Sequence, residues 1–495
     1  MILLRAETDS HNPEVFWVKR SEKLSFLGGY YAFPGGQLDP SDAEARVENS
    51  PDAATAAMIS CAARELFEEL GVLAARGAGA LTKGQRASLL DDLESGRMAW
   101  PALLAHYDLY LDANDFTFAG RWVTPPFNAR RFDTWFFMVT CPAKQEPQVI
   151  PGELESGVWT TAFDAYARWQ RSEVIAVPPT LHPMKTLSGG LNHNLVERLL
   201  SIPQANGEPM RRIEFRPNYI CFPVRTPTKP PATHTNCYLI YTSQVVLVID
   251  PGSHYEDEQQ ALHAAIDDLL AAGRTMHSIL ITHVHPDHIG GVNALRAHLG
   301  EVGVAAHAIT AEALQDNIQV DTLLADQDVI QLEGEPSITL QVMHTPGHAR
   351  GHLCLYEART GTLISGDNIV GMGSVLIDPP EGNMREYLKS LEDMRALPNL
   401  SVIFGGHGPA IANPYTKIDE YISHRLEREK KVLGAVQNGA ATAKEIVAVV
   451  YTDVSPKAHA MAERAVLAHL EKLEADQLVA RAGESWSALD RPAGL

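Results

Sequence analysis

Thr282-His283-Val284-His285-Pro286-Asp287-His288 is the stretch that decides how the middle of this chain folds. It follows an apolar run, 279–281, that reads as a strand. His283 and His285 are two residues apart, so in an extended segment both side chains point the same way. Asp287 and His288 stand where a helix is expected to begin, continuing over 289–298. One short loop thus offers four ligating side chains to adjacent metal ions. Three more candidates follow: His348 in Thr345-Pro346-Gly347-His348, Asp367 in Ser365-Gly366-Asp367-Asn368, and His407 in Gly405-Gly406-His407-Gly408. Each lies at an expected strand end or in a Gly-rich turn, where backbone can approach a metal closely. Imidazoles and carboxylates suit Zn²⁺, with Fe and Mn as alternatives. Such a set can hold two metals about 3.5–4 Å apart, activating water near neutral pH and stabilising charge on the attacked group.

Outward from this loop, short apolar strands at 238–240, 245–249, 279–281, 339–343 and 363–365 alternate with helices over 236–414, an α/β pattern. The N-terminal part reads as mixed, with strands at 2–5, 16–19, 134–139 and 157–160 and a helix over 53–70. A polar, Pro-rich stretch, 203–231, contains a strand near 213–215 and looks like a domain junction. A long charged helix is expected over 419–437. Helices at 443–450 and 460–473 and a hairpin within 478–486 then follow, an order that fits a winged helix. The chain opens inside a strand, which leaves room for a true start upstream of Met1.

The central motif resembles the metallo-β-lactamase fold over 236–414. That resemblance implies that His283, His285 and His348 hold one metal, that Asp287, His288 and His407 hold a second, and that Asp367 bridges them. Asp250, in Ile249-Asp250-Pro251-Gly252, looks like the family's acid that orients a ligand. True zinc β-lactamases generally lack the bridging Asp, which disfavours antibiotic hydrolysis. His344-Thr345-Pro346-Gly347-His348, Gly406-His407-Gly408-Pro409 and Tyr421-Ile422-Ser423-His424-Arg425 are similar to the β-lactamase-like protein two subgroup. Members of that subgroup include single-strand endoribonucleases, and relatives include thioesterases. Glyoxalase II shares the same seven ligands.

Near the N-terminus, Arg64-Glu65-Leu66-Phe67-Glu68-Glu69-Leu70-Gly71-Val72 places Glu65, Glu68 and Glu69 on one helix face. Such crowded like charge calls for Mg²⁺ or Mn²⁺, or else is a solvated acidic face with one Arg partner. The segment matches half of a Nudix box, and Phe33-Pro34-Gly35-Gly36 is similar to the glycine turn before that box. Residues 37–63 separate Gly36 from Arg64, longer than an uninterrupted box, and the first-half Glu has no clear equivalent. The insertion resembles the peroxisomal CoA-diphosphatase branch. Arg20-Ser21, Gly29 and Arg131-Phe132-Asp133-Thr134-Trp135-Phe136-Phe137 match parts of that branch, but Ser25 stands where it has Arg.

Composition bounds these readings. The 495 residues carry 41 basic and 61 acidic side chains, net −20, which lowers the expectation of tight nucleic-acid binding. Six basic face eight acidic residues over 437–495, so specific duplex DNA is not expected as a partner of the winged helix, and Trp486 reads as core. Five scattered cysteines, an odd count without C-x-x-C, argue against a disulfide framework or thiolate zinc. The apolar start, 1–6, is too short for a signal peptide, and no run spans a membrane, so a cytoplasmic setting is expected.

The expected fold class is a multidomain α/β and α+β chain: a Nudix α/β/α sandwich (1–205), a metallo-β-lactamase αββα sandwich (206–430) and a winged helix (431–495). The expected function is bifunctional metal-dependent hydrolysis. The central site, with two Zn²⁺, would cleave an ester, thioester or phosphodiester. The Nudix site, with Mg²⁺ or Mn²⁺, would cleave a CoA-like or nucleotide diphosphate. Candidate catalytic residues are Asp287, Arg64, Glu65, Glu68 and Glu69; the three Glu are also metal ligands. Small-molecule substrates are the expected partners. The alternatives are a single-strand endoribonuclease beside a degenerate Nudix scaffold, and a non-enzymatic metal scaffold. The scaffold is disfavoured because structural zinc needs one closed four-ligand site.

Overall fold

Alternation along Glu14–Arg20 sends Val15 and Trp17 to one face of a sheet and Phe16 and Val18 to the other, and all four are buried. A strand apolar on both faces needs cover on both, and it has it. A computed structural model describes residues 1–24, 26–125, 131–300, 302–452 and 455–489. Ser25, where the CoA signature departs, lies outside these. The chain divides into two units, Met1–Pro217 and Asn218–Leu495. All five cysteines are free and buried.

In the first unit, Glu14–Arg20 lies between Ile2–Leu4 and Leu154–Thr161, and Asp133–Thr140 runs parallel to Ile2–Leu4. Phe16 and Val18 share a core with Ile59, Leu66, Phe67 and Leu70 of the helix Ala53–Leu70. Val15 and Trp17 share one with Ala165, Trp169 and Met184 of the helices Ala162–Gln170 and Pro178–Leu187. The result is helix, sheet, helix. The helix Ala53–Leu70 begins where Asp52 accepts from the Thr55 amide at 2.7 Å. It ends at Gly71, whose φ of 65° lets its N–H close on Phe67.

The second unit has two sheets. One contains Val245–Ile249 beside Thr275–Leu280 and His234–Tyr241. Its outer face packs on the helices Glu256–Ala271 and Val292–Leu299. The other runs from Val329–Leu332 through Ile338–His344, Leu353–Glu357 and Thr362–Gly366 to Val402–Gly405. Helices Met384–Arg395 and Pro414–Gln437 cover its outer face. Between the sheets Phe404 meets Tyr219 and Tyr238, with ring centroids 5.8 and 5.6 Å away. These are the expected α, β, β, α layers.

One expected element divides. The helix expected over 289–298 is two, Pro286–Ile289 and Val292–Leu299. Gly291 lies between them and donates its N–H outward to the Pro251 carbonyl at 2.7 Å, leaving the helical ladder. At the C-terminus, helices Ala443–Val450 and His459–Ala475 and the hairpin Val479–Ala482/Ser485–Ala488 form the winged helix. Its core joins Val432 and Val436 of the long helix to Val466, Leu470 and Trp486. Trp486 is core, as expected. No helix among the described residues is long and apolar enough to cross a membrane.

Candidate metal centre

Five of the ligand candidates follow the end of a strand, and Asp287 and His288 lie in the short helix Pro286–Ile289. His283 and His285 follow Thr275–Leu280, His348 follows Ile338–His344, Asp367 follows Thr362–Gly366, and His407 follows Val402–Gly405. A Cβ on Gly406 would stand 2.2 Å from Asp367 Oδ1, so only glycine lets His407 and Asp367 come together. The seven residues converge. His283, His285 and His348 form one cluster of ligand atoms, and Asp287, His288 and His407 form another. Asp367 reaches both: Oδ1 lies 3.4 Å from His288 Nε2, and Oδ2 lies 3.3 Å from His407 Nε2 and 3.7 Å from His348 Nε2.

The donor chemistry fits cations. His283 Nε2 and His348 Nε2 each sit 3.0 Å from His285 Nδ1, so three ring nitrogens face one point. Neutral imidazoles crowded this way need an ion or a shared proton between their lone pairs. Asp367 Oδ1 and His288 Nε2 are buried without a hydrogen-bond partner. Burial opposes a charge on His288, yet Asp367, Asp250 and Asp287 around it hold its pKa well above the ordinary value. Burial likewise opposes charge on Asp367, but His407 and His288 hold its pKa well below. Positive charge is therefore favoured on that side. His348 is pushed down to about 3 by burial, with His285 adding to it, so its ring is neutral and ready to ligate.

The surrounding residues fix which ring nitrogen is free. His288 Nδ1 donates to Asp250 Oδ2 at 2.8 Å, and the Thr282 hydroxyl donates to the same oxygen at 2.6 Å. Thr282 Oγ1 then accepts from His283 Nδ1 at 2.9 Å. Asp250 thus orients one ligand directly and another through Thr282. Asp250, His283 and His288 also form a cluster of potential ligands. With Asp250 already accepting these bonds and the Thr282 amide (2.8 Å), orientation is its better role. His348 Nδ1 donates to the Leu376 carbonyl at 3.0 Å, and His407 Nδ1 to the His234 carbonyl at 2.8 Å. His352, fully buried, accepts from the Asp367 amide through Nε2 at 3.1 Å. Thr282 and His352 were not singled out in the sequence. The spacing of Thr282 before His283, and the second His four residues after His348, were the available signals.

In the first unit, Arg64 is the hub. Its Nε and Nη2 bind the two oxygens of buried Asp42, each at 3.0 Å. Its Nη1 reaches Glu65 at 2.9 Å and Glu68 at 2.7 Å. Glu69 instead accepts from the Gly35 amide at 2.8 Å, which ties the box to the glycine turn. Among the described residues, Glu65, Glu68 and Glu69 do not gather into one ligand cluster as the central residues do, because these partners draw them apart. Burial raises the pKa of all three, against Arg64 for Glu65 and Glu68. Glu69 goes to about 7, against the Gly35 amide. Asp42 lies in the inserted segment and was missed. Its signal was the capping pattern Asp39-Pro40-Ser41-Asp42.

Two clusters of candidate ligands with one carboxylate near both are the side chains that a metal-dependent hydrolase needs. Residues 230–407 match the model of the metallo-β-lactamase superfamily, and 442–486 match the β-lactamase-associated winged helix domain. The β-lactamase-like protein 2 homolog of Drosophila melanogaster is 33% identical over 251 residues, which are 48% of this chain and 82% of that protein. The chain belongs to the metallo-β-lactamase superfamily. The atrochrysone carboxyl ACP thioesterase of Aspergillus chevalieri is 30% identical over 240 residues, covering 45% of this chain and 71% of that one. A solved NUDIX hydrolase from Alicyclobacillus acidocaldarius shares 32% identity, with a TM-score of 0.34, over 41% of this chain and 95% of its own.

Proposed function

We propose that the central site is dinuclear and hydrolyses an ester, with a carrier-linked thioester as the leading substrate. The observation that carries this is Asp367 reaching ligands of both triads. When bound, two ions such as Zn²⁺, Fe or Mn supply an activated water and stabilise charge on the attacked carbonyl. The chain's own part is to hold seven ligands in fixed tautomers, through Asp250, Thr282, Leu376 and His234. A cleft of about 380 Å³ borders the ligand loop at Val284 and is lined by Ile309, Ala313, Glu312, Arg350 and Glu381 among others. Its described lining has one cation against two carboxylates and no aromatic side chain, which offers a nucleic-acid strand little of the basic and stacking surface it binds. The relation to a named thioesterase adds to the thioester reading. Purified protein loaded with Zn²⁺ should release thiol from acyl-CoA and leave single-stranded RNA intact. RNA cleavage without thiol release would favour the endoribonuclease reading.

We infer further that the first unit is a Nudix hydrolase acting on a diphosphate, with CoA or a derivative leading and Mg²⁺ or Mn²⁺ as the ion. The Arg64 hub and the Gly35–Glu69 link support it. CoA with Mg²⁺ should yield phosphopantetheine and an adenosine bisphosphate by mass spectrometry. No cleavage of CoA, acyl-CoA, NADH or nucleotide sugars would leave the unit a scaffold. With Glu69 at about 7 before the ion binds, Mg²⁺ must displace its proton below that pH. The half-saturating Mg²⁺ concentration should therefore rise about fivefold from pH 7 to pH 6 and stay nearly flat from pH 7.5 to 8.5. A requirement unchanged between pH 8 and 6 would rule out Glu69 as a ligand.

The winged helix is proposed as a packing module rather than a DNA reader. Arg464 is engaged by Asp378, and Lys472 by Glu429 and Asp476. At physiological salt, duplex DNA should show no sub-micromolar complex with one preferred sequence.

A further inference from the structure

The stretch 371–383, between the bridging Asp367 and the helix Met384–Arg395, contains no strand or helix, yet it carries the carbonyl that orients a ligand. Leu376 O accepts from His348 Nδ1 at 3.0 Å. Such a stretch holds a carbonyl in place only if its own backbone is fastened. Gly371 N–H donates to the His407 carbonyl at 2.7 Å, the Arg350 N–H donates to Glu381 Oε1 at 2.9 Å, and Val375 and Ile377 are buried in the core on either side of Leu376. Three further links tie the stretch to neighbouring elements. Asn383 N–H donates to the Gly347 carbonyl at 2.8 Å, next to His348. Arg425 of the long helix Pro414–Gln437 is buried and donates to the Val375 carbonyl at 2.5 Å. The third comes from the winged helix: Arg464, on His459–Ala475, donates through Nε to Asp378 Oδ1 at 2.5 Å and through Nη2 to the Pro379 carbonyl. The same helix packs Ala468 into the core behind the second sheet, so it is a fixed support.

We propose that Arg464 is a positioning residue for the metal ligand His348, acting from the winged helix through Asp378 and Pro379 on the Leu376 carbonyl. The proposal rests on the central site binding metal. The Arg464 and Asp378 side chains are 43% and 44% exposed, and a pair so exposed contributes little to stability. A planar guanidinium that spans a carboxylate and a backbone carbonyl instead fixes geometry, which a lysine's single ammonium does less well. Leu376 stands two residues before Asp378, so slack at Asp378 passes to the carbonyl facing His348. The winged helix would then be part of the hydrolase rather than a separate binding module.

The test is a Zn²⁺ titration of the demetallated full-length chain against a chromophoric chelator, for wild type, Arg464→Ala, Arg464→Lys, Asp378→Ala, the Arg464→Ala/Asp378→Ala double variant and His348→Ala. Loss of an outer hydrogen bond at a metal site typically costs 10–100-fold in affinity, and Arg464 acts one step further out. Arg464→Ala should weaken one of two equivalents about tenfold, the one His348→Ala weakens more, and leave the other within about twofold. Arg464→Lys should recover part of the loss. Asp378→Ala should reproduce it, and the double variant should be no worse than either single. Circular dichroism and the thermal midpoint of the apo chain should be unchanged. Both equivalents holding wild-type affinity in Arg464→Ala, or full additivity of the two singles, would overturn the proposal. A wild type that binds no Zn²⁺ would overturn the dinuclear reading beneath it.

Discussion

Asp367→Ala is expected to lower the central hydrolytic activity by about two to four powers of ten while leaving the fold intact. Asp367 stands close to both triads, 3.4 Å from His288 Nε2, 3.3 Å from His407 Nε2 and 3.7 Å from His348 Nε2, and unlike Asp250 it is not taken up by the bonds that orient His288 and Thr282. Removing it would leave two cations close together without their shared negative charge. Breaking a buried charge arrangement by deleting one partner costs about 3–5 kcal/mol. If that cost falls on the transition state, each 1.36 kcal/mol is a factor of ten in rate. The Asp367 amide keeps its bond to His352, so the apo chain should melt near the wild-type temperature. Thiol release from acyl-CoA at saturating Zn²⁺ measures the loss. A variant within tenfold of wild type would mean that one metal suffices.

Glu68→Gln should eliminate diphosphate cleavage, by about 10²–10⁴-fold, the range for loss of a group that moves a proton or holds the ion in such a step. It should leave the central activity within a few-fold. Arg64 would keep its two bonds to buried Asp42 and its contact with Glu65, so the helix stays anchored. The two proposed sites would take different ions: carboxylates alone suit Mg²⁺ or Mn²⁺, whereas the imidazole-rich centre suits Zn²⁺ or a similar ion. No ligand of either site falls in the Pro-rich stretch 203–231. Assaying both variants on both substrates crosses the two predictions. If either substitution removed both activities with circular dichroism unchanged, the sites would be coupled, and the reading of two independent centres would be wrong.

Much of the metal centre is legible in the sequence because it is written in side-chain types at fixed spacings. Seven candidate ligands in the order H-x-H-x-D-H, His, Asp, His leave few ways to arrange them; six fall in the two clusters and Asp367 stands beside both. The helix Ala53–Leu70 is legible for a local reason, since Asp52 starts it and Gly71 stops it. What stays hidden is what depends on backbone or on distant packing. The Leu376 carbonyl orients His348, and no residue type encodes a carbonyl. Arg464 stands 116 positions after His348 and reads as one surface charge among many until the helix that bears it is seen beside 378–379. The break at Gly290–Gly291 is decided by an outside acceptor on Pro251. Asp42 is hidden by the insertion that carries it, because the half-box motif places its acid elsewhere. Glu65, Glu68 and Glu69 share a helix face as spacing requires, but Arg64 and the Gly35 amide decide where their carboxylates go.

The central claim is two metal ions held by His283, His285, His348, Asp287, His288, His407 and Asp367, and elemental analysis of the full-length chain tests it most directly. Expressed in metal-replete medium and freed of loosely bound ions, the wild type should carry about two transition-metal ions per chain. His285→Ala, which removes the nitrogen facing both His283 and His348, should carry at least one fewer. A wild type with close to none, or His285→Ala with the full wild-type content, would contradict the account.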